Sequence, residues 1–251
     1  MSSTDDIHLL ILGSPRSGTT LLSAMLGCHP EITLLNEDTH GASLTIFSKK
    51  IKGVKLCIPN QIELVQTSWM RFKDFMVTTL QLLTNPIKSY LGLRVPIPRG
   101  IKSKYSIRDY QKKTDKLFVL GIVRNPYDSI KSMMGRGQQT KKTAEYRWRR
   151  VIEILYELSM DECKENILIV VDFDKLVTEP VGIMKNLLSL LECDFKEDVL
   201  EGYKHTPQYK GSSAISADKA SKGVEAALTH PMLQIDESLK NKYLYLIEKC
   251  I

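Results

Sequence analysis

Gly-Ser-Pro-Arg-Ser-Gly-Thr-Thr, residues 13–20, directly follows the apolar run Ile7–Leu12. This order predicts a buried strand, a loop bounded by glycines and a helix that begins near Ser17. In such a loop, successive backbone N–H groups and the positive end of the helix converge on one place, where an anion binds. The stretch therefore predicts a phosphate-binding loop at the carboxyl end of a strand in an α/β protein.

The chemistry of this loop differs from that of nucleotide triphosphatases. Gly13 and Gly18 have the spacing of a Walker A loop, but the next residue is Thr19 where a kinase or ATPase carries a lysine for the β- and γ-phosphates. Arg16 supplies the charge from inside the loop instead. The loop is therefore predicted to hold a phosphate-like group without the usual machinery for moving a γ-phosphate.

A second motif lies about 110 residues further along the chain. The apolar run 117–123 is typical of a buried parallel strand, and Arg124 follows it. Asn125-Pro126 then opens a turn before a predicted helix over 127–134, which carries Ser132 eight residues after Arg124. An arginine at a strand's carboxyl end and a hydroxyl two turns into the next helix can converge on a second phosphate.

Together, P-R-S-G-T-T-L-L (residues 15–22) and V-R-N-P-Y-D-S-I-K-S (residues 123–132) resemble the two cofactor motifs of sulfotransferases that use 3'-phosphoadenosine 5'-phosphosulfate (PAPS). The resemblance implies an α/β fold of the P-loop-like, nucleoside-kinase type and no need for a metal ion. It implies that Arg124 and Ser132 bind the 3'-phosphate. It also implies that the 5'-phosphosulfate is held by the first loop, in which Pro15 shapes the turn; the predicted binding residues there are Arg16, Ser17, Gly18, Thr19 and Thr20.

The same resemblance indicates where the catalytic base lies. In tyrosylprotein sulfotransferases an acidic residue follows a His-Pro pair and acts as the base, and Glu37 matches it after His29-Pro30. A carboxylate near a bound sulfate would have a raised pKa, which suits a base. Asp38 and His40 are competing candidates, and an ion pair in a loop is the alternative for Glu37.

Three further positions depart from the family pattern or match it only loosely. Related enzymes place a lysine at the end of a short strand, against the leaving-group oxygen. Lys55 fits that place, although Leu-Cys follows it rather than Asp-Pro. The alternative is that Lys55 is a solvated lysine. Phe173 stands where the family often has tyrosine. A late loop over 205–222 resembles the segment that closes over the nucleotide, with Ser212, Ser213, Lys219 or Lys222 as candidate contacts; an ordinary flexible loop is equally consistent.

Length and composition predict one domain. The chain has 251 residues, of which 43% are hydrophobic, enough for a single α/β core over residues 1–251. Alternating strands and helices predict a parallel sheet that is covered on both faces. A proline-containing basic stretch around 85–115 is too long for an ordinary connection, and we interpret it as either a lid-like insertion or a solvated one.

The charge and the cysteines constrain the partners and the compartment. A net charge of +6 suits a polyanionic cofactor better than a nucleic acid, for which no binding module is present. Five scattered cysteines without C-x-x-C spacing predict free thiols and no zinc site. No apolar run has transmembrane length and residues 1–6 are polar, so the sequence predicts a cytoplasmic protein without a membrane partner.

The leading hypothesis is transfer of a sulfuryl group from PAPS to a hydroxyl or amine of a small-molecule acceptor, with Glu37 as base and with Arg16 and Lys55 stabilising the groups in transfer. The products would be the sulfated acceptor and 3',5'-adenosine bisphosphate (PAP). The alternatives are a protein-tyrosine sulfotransferase, a nucleoside or small-molecule kinase, and a protein that keeps the fold without catalysis. The oligomeric state stays open.

Overall fold

A computed structural model describes residues 7–46, 50–90, 102–137, 139–161, 166–205, 228, 230, 233 and 235–251. Five parallel strands form its central sheet in the order β2-β3-β1-β4-β5. Their bounds are β1 Ile7–Gly13, β2 Ile32–Asn36, β3 Ile51–Cys57, β4 Lys116–Val123 and β5 Asn166–Asp172. The predicted single α/β domain with a parallel sheet is confirmed.

Helices connect the strands and cover both faces of the sheet. Their bounds are α1 Thr19–Gly27, α2 Ser68–Tyr90, α3 Ile107–Lys113, α4 Pro126–Gly137, α5 Lys141–Ser159, α6 Phe173–Thr178, α7 Pro180–Leu190, α8 Asp198–Glu201 and α9 Glu237–Glu248. Short 3₁₀ turns occur at Ala42–Leu44 and Gly202–His205. The starts of several helices are encoded locally: Asp236 accepts the Leu239 N–H at the start of α9, and Pro180 is the first residue of α7.

Alternate residues of β1 define the two halves of the core. Leu9 and Ile11 face one side of the sheet, where α1, α6 and α7 pack. Leu10 and Leu12 face the other side, which α4, α5 and α9 cover. All four side chains are fully buried, as expected for a strand at the centre of a parallel sheet.

The sheet order fixes the position of the site. The chain runs from central β1 outward to β2, returns to β3 beside β1, and then crosses to β4 on the other side of β1. Ligands of open α/β sheets bind at the carboxyl ends of the strands, where the connections diverge in this way. The loops after β1, β2 and β4 therefore lie at one edge.

Three elements differ from the sequence-based predictions. Strand β2, over Ile32–Asn36, was not predicted, although Ile32 and Thr33 favour a strand, because a run of five residues is short. Apolar residues near helical spacing predict a helix over 69–83, and α2 extends seven residues further, to Tyr90. The insertion predicted around 85–115 is also shorter at its C-terminal end, because α3 begins at Ile107 and buries Ile107 and Tyr110 in the core.

The segment left for a lid is 91–101, which lies outside the described residues. Among the helices of the described ranges, none combines the length and the apolar character needed to cross a bilayer.

Candidate functional site

The loop after β1 has the shape of an anion cradle. Arg16 and Gly18 both have left-handed backbone, with φ of 74° and 101°, and α1 begins at Thr19 directly after them. The N–H groups of the first helical turn have no acceptor within a helix, so they are available to an anion. Ser17 differs from expectation: its N–H and its hydroxyl both donate to the Ser14 carbonyl, at 3.1 and 2.8 Å, and hold the turn closed.

The two sequence motifs meet in space. The Arg16 Nε donates to the Ser132 hydroxyl at 3.2 Å, and an Arg124 guanidinium nitrogen donates to the Arg16 carbonyl at 3.3 Å. Trp148 on α5 in turn donates from its indole to the Arg124 carbonyl at 3.0 Å. Residues more than a hundred positions apart thus form one basic group at the carboxyl edge of the sheet.

Phe173, the first residue of α6, packs between the motifs. Its ring lies 4.4 Å from the Arg124 guanidinium, a cation–π contact. A Cβ on Gly18 would lie 2.4 Å from the same ring, so only glycine fits there. In the sequence, Phe173 stands out only as a substitution for tyrosine, and its packing role is missed because nothing in the local sequence shows which loop the ring covers.

Arg124 has an unused donor in a buried position. Its Nε atom is buried without a hydrogen-bond partner among the described residues. Burial lowers the pKa of Arg124, and Asp128 and Asp174 raise it in part. A buried guanidinium N–H needs an acceptor, so this donor suits an anionic group such as phosphate.

Glu37, directly after β2, and Lys55, within neighbouring β3, form an ion pair near the carboxyl edge of the sheet. Lys55 Nζ donates to Glu37 Oε1 at 2.7 Å, and the Glu37 N–H donates to the Lys55 carbonyl at 2.9 Å. The Lys55 side chain is only 3% exposed, whereas that of Glu37 is 55% exposed. The alternative of a solvated lysine therefore does not hold, and Lys55 lies within β3 rather than at its end.

The direction of the Glu37 pKa differs from the expectation. Partial burial raises the Glu37 pKa. The hydrogen bond and positive charge of Lys55, with a hydrogen bond from Gln61, lower it by more, so the net pKa lies below the ordinary value. A buried lysine charge needs a partner, and Glu37 is that partner. The carboxylate is accordingly ionised at neutral pH and accessible from solvent.

Gln61 contacts the Glu37 carboxylate and was missed in the sequence. Its side-chain carbonyl accepts the Cys57 N–H at 2.8 Å, which turns its amide group toward the Glu37 carboxylate. Cys57 is buried beside Lys55, and its thiol hydrogen bonds with Thr19 of the phosphate loop. Thr19, Cys57, Lys55 and Glu37 thus connect the cradle to the carboxylate.

The two other candidates for the base, Asp38 and His40, do not share the position of Glu37. Asp38 accepts the N–H groups of His40 and Ser43, at 3.0 and 3.1 Å, and so stabilises the turn at Ala42–Leu44. His40 itself is exposed. Glu37 is the one of these three side chains that contacts Lys55.

One group of side chains within the described ranges has the proximity of metal ligands: His29, Glu31 and Cys193. His29 Nδ1 accepts the Glu31 N–H at 3.2 Å, and its Nε2 therefore donates to the Asp194 carbonyl at 2.9 Å. Burial raises the pKa of the Cys193 thiol to about 11, so it is not a thiolate at neutral pH. These contacts fasten the turn after α1 to the end of α7.

Some predicted contacts fall outside the described residues. Ser212, Ser213, Lys219 and Lys222 of the late loop are in this group. Pro15 and Thr20 lie in the cradle and are partly exposed, and Thr19 is buried.

Comparison with known proteins identifies the family. A sulfotransferase domain model matches residues 6–230, nearly the whole chain. The chain belongs to the sulfotransferase domain family. It is 25% identical over 211 residues to protein-tyrosine sulfotransferase A of Caenorhabditis elegans, which covers 76% of this chain and 51% of that protein, so the chain spans about half the length of this curated relative.

Among solved structures, the sulfotransferase domain of the Synechococcus PCC 7002 olefin synthase is similar. Its TM-score is 0.53 at 19% identity, and the match covers 97% of this chain and 94% of that one. At this identity the likeness supports the fold, and it agrees with the P-loop-like architecture predicted for the family.

Proposed function

We propose that this sulfotransferase-family chain transfers a sulfuryl group from PAPS to a hydroxyl or amine of a small-molecule acceptor. The observation that carries the proposal is the hydrogen bond between Arg16 and Ser132, with Arg124 on the Arg16 carbonyl. It joins the two motifs that, in the family the chain resembles, hold the two ends of PAPS. The Glu37–Lys55 pair, on the neighbouring β2 and β3 side of the site, supplies groups for the chemistry.

The residues present fit the bisphosphate part of this co-substrate. The cradle offers backbone N–H groups at a helix start and the guanidinium of Arg16, which suit the 5'-phosphosulfate. The buried Arg124 Nε lacks an acceptor among the described residues, and with the Ser132 hydroxyl it suits the 3'-phosphate. PAPS would supply an activated sulfuryl group and a stable leaving phosphate.

Each catalytic side chain has a defined part in this proposal. Glu37, ionised and exposed, accepts the proton of the acceptor hydroxyl or amine. Lys55, fixed by burial, offers its ammonium to charge that develops on the leaving oxygen, and Arg16 does the same from the loop. The transfer then depends on position and electrostatics rather than on a covalent enzyme intermediate.

Two finer points belong to the proposal. A tyrosine in a protein is the second candidate acceptor, because the curated relative is a protein-tyrosine sulfotransferase. A cytoplasmic location is supported by the cysteines in the described ranges, Cys28, Cys57, Cys193 and Cys250, which are all free thiols.

Calorimetric titration with PAP, beside ATP with magnesium, tests the co-substrate. We expect micromolar or tighter binding of PAP, at least about tenfold weaker in Arg124→Ala because a charged hydrogen bond is lost. Arg149→Ala is the matched control, since its guanidinium pairs with Asp236 on α9. Binding of ATP–magnesium without PAP binding would favour the kinase alternative and contradict the proposal.

Glu37→Gln tests the base. The variant should bind PAP as the unaltered chain does, and its turnover in an acceptor screen with PAPS should fall by roughly 10²–10⁴, the contribution of general base catalysis. The screen includes small phenols, alcohols, amines and tyrosine peptides. Turnover that survives in Glu37→Gln would show that another group takes the proton.

A further inference from the structure

Helix α2 is unusual because it buries none of its described side chains. Its large apolar residues are exposed instead: Trp69, Met70, Phe72, Phe75, Met76, Leu80, Leu83 and Tyr90. Four of them, Trp69, Phe75, Leu83 and Tyr90, are 66% exposed or more. A long helix with such a surface gains little stability from the rest of the described chain, because helices in proteins depend on packing of an apolar face.

The exposed apolar residues follow a regular spacing. Trp69, Met76, Leu83 and Tyr90 recur every seven residues, and Leu80 lies four residues after Met76 and three before Leu83. Residues at this spacing form one stripe along a helix, and a seven-residue apolar repeat is the pattern of helices that pack against another helix. The stripe runs the full length of α2.

The size of the stripe matches that of a protein interface. An aromatic side chain buries roughly 150–250 Å². With the observed exposed fractions and roughly 200 Å² per side chain, the five residues of the stripe would remove roughly 700 Å² per chain from water, close to the about 800 Å² per partner of a stable interface. Patches of this size on a monomer mark a binding surface.

We propose that α2 is the interface of a symmetric dimer, in which the apolar stripes of two copies pack against each other. The charge of the helix favours a second copy over a lipid surface. Residues 68–90 contain three basic residues and one acidic residue, and the other polar residues are Thr, Gln, Asn and Ser. A helix that lies on an anionic membrane carries a polar face rich in Lys and Arg, which α2 lacks. An isologous contact also uses one patch for both partners and closes at two copies.

Light scattering after size exclusion tests the dimer. The unaltered chain should have twice its chain mass of 28.5 kDa at micromolar concentration. Met76→Lys/Leu80→Lys places two charges in the stripe and should give the monomer mass. The matched control is Leu190→Lys on α7, an exposed leucine outside the stripe, which should stay dimeric. Far-UV circular dichroism of each variant checks that the helices persist.

Hydrogen exchange on the unaltered chain tests the dimer without any substitution. Dilution should speed exchange at the amides of α2 and leave those of α5 unchanged. A monomer at every concentration, or a dimer that persists in Met76→Lys/Leu80→Lys, would overturn the proposal. So would a monomer that binds vesicles of anionic lipid, which would assign the stripe to a membrane.

Discussion

Two residues of the proposed catalytic set have left-handed backbone without being glycine. Arg16 and Glu37 have φ of 74° and 59°, and in the described ranges Glu192 at the end of α7 is the one other such residue. Each costs of order 1–2 kcal/mol relative to an ordinary backbone conformation. At both positions the contacts of the site compensate: Arg16 is held by Ser132 and Arg124, and Glu37 by Lys55.

Lys55→Met should raise the pKa of Glu37, because the hydrogen bond and charge that lower it are removed while partial burial remains. Carbon-13 carboxyl titration, with the signal assigned by Glu37→Gln, measures the shift. The folded pKa of Glu37 lies below its unfolded value, so the pair stabilises the fold above the ordinary glutamate pKa of about 4.3, and this stabilisation is lost as pH falls through the folded pKa.

Lys116→Met is the control for this titration. Lys116 pairs with the exposed Glu192 at 3.1 Å, at the opposite end of the sheet from the site. The variant should leave the Glu37 pKa unchanged. An unaltered Glu37 pKa in Lys55→Met would mean that Lys55 is not its dominant partner.

At the scale of elements, the site depends on the close packing of the β1 loop against the start of α6. Gly18 and the Phe173 ring are in contact, and the ring also makes a cation–π contact with the Arg124 guanidinium. The loop, β4 and α6 therefore form one packed unit at the carboxyl edge. We therefore expect a change in the loop to displace Arg124 through this ring.

Gly18→Ala tests that packing. Its Cβ would lie 2.4 Å from the Phe173 ring at a φ of 101°, so we expect a loss of about 1–3 kcal/mol of stability and weaker PAP binding. Gly27→Ala is the matched control: it ends α1 and its Cβ would meet nothing within 4 Å. Urea unfolding and calorimetry distinguish the two, and equal behaviour of both variants would contradict this account.

At the scale of the whole molecule, the buried carboxylate of Glu63 connects the segment after β3 to α5. Glu63 follows β3 and is 5% exposed; it accepts from Arg150 Nε of α5 at 3.0 Å and lies 3.9 Å from Lys102 Nζ. The neighbouring backbone is paired as well, since the Ile107 N–H donates to the Glu63 carbonyl at 3.0 Å. These contacts fasten the segment before α3 to the segment that carries Gln61.

Glu63→Gln should destabilise the fold by about 2 kcal/mol, because Arg150 would lose a charged hydrogen bond in a partly buried place. Glu153→Gln is the control, since Glu153 contacts the same arginine from a position that is 32% exposed. Its loss should stay within about 1 kcal/mol, the value of a surface pair. If urea unfolding gave equal losses of unfolding free energy for the two variants, the burial of Glu63 would not add to the strength of its pair with Arg150.

Local sequence was sufficient for the strand–loop–helix conformation around Gly18, for the position of Arg124 after a strand and for the parallel sheet. Glycine spacing, the strand-ending Arg124 and long apolar runs are short-range signals with direct physical meaning. Gly18, for example, sits where the chain needs left-handed backbone. Helix ends were less accurate, as α2 shows, because Asn85-Pro86 indicates a helix boundary by local rules and the helix continues through it to Tyr90.

Tertiary structure decided which side chains meet. Burial of Lys55, its bond to Glu37, the role of Gln61 and the placement of Phe173 all depend on the order of strands in the sheet. Strand β2 beside β3 puts Asn36 opposite Lys55, and this register places Glu37 at the lysine. A sequence determines such local conformations by residue type, whereas contacts between distant segments follow from the packing of the whole chain, which no single stretch encodes.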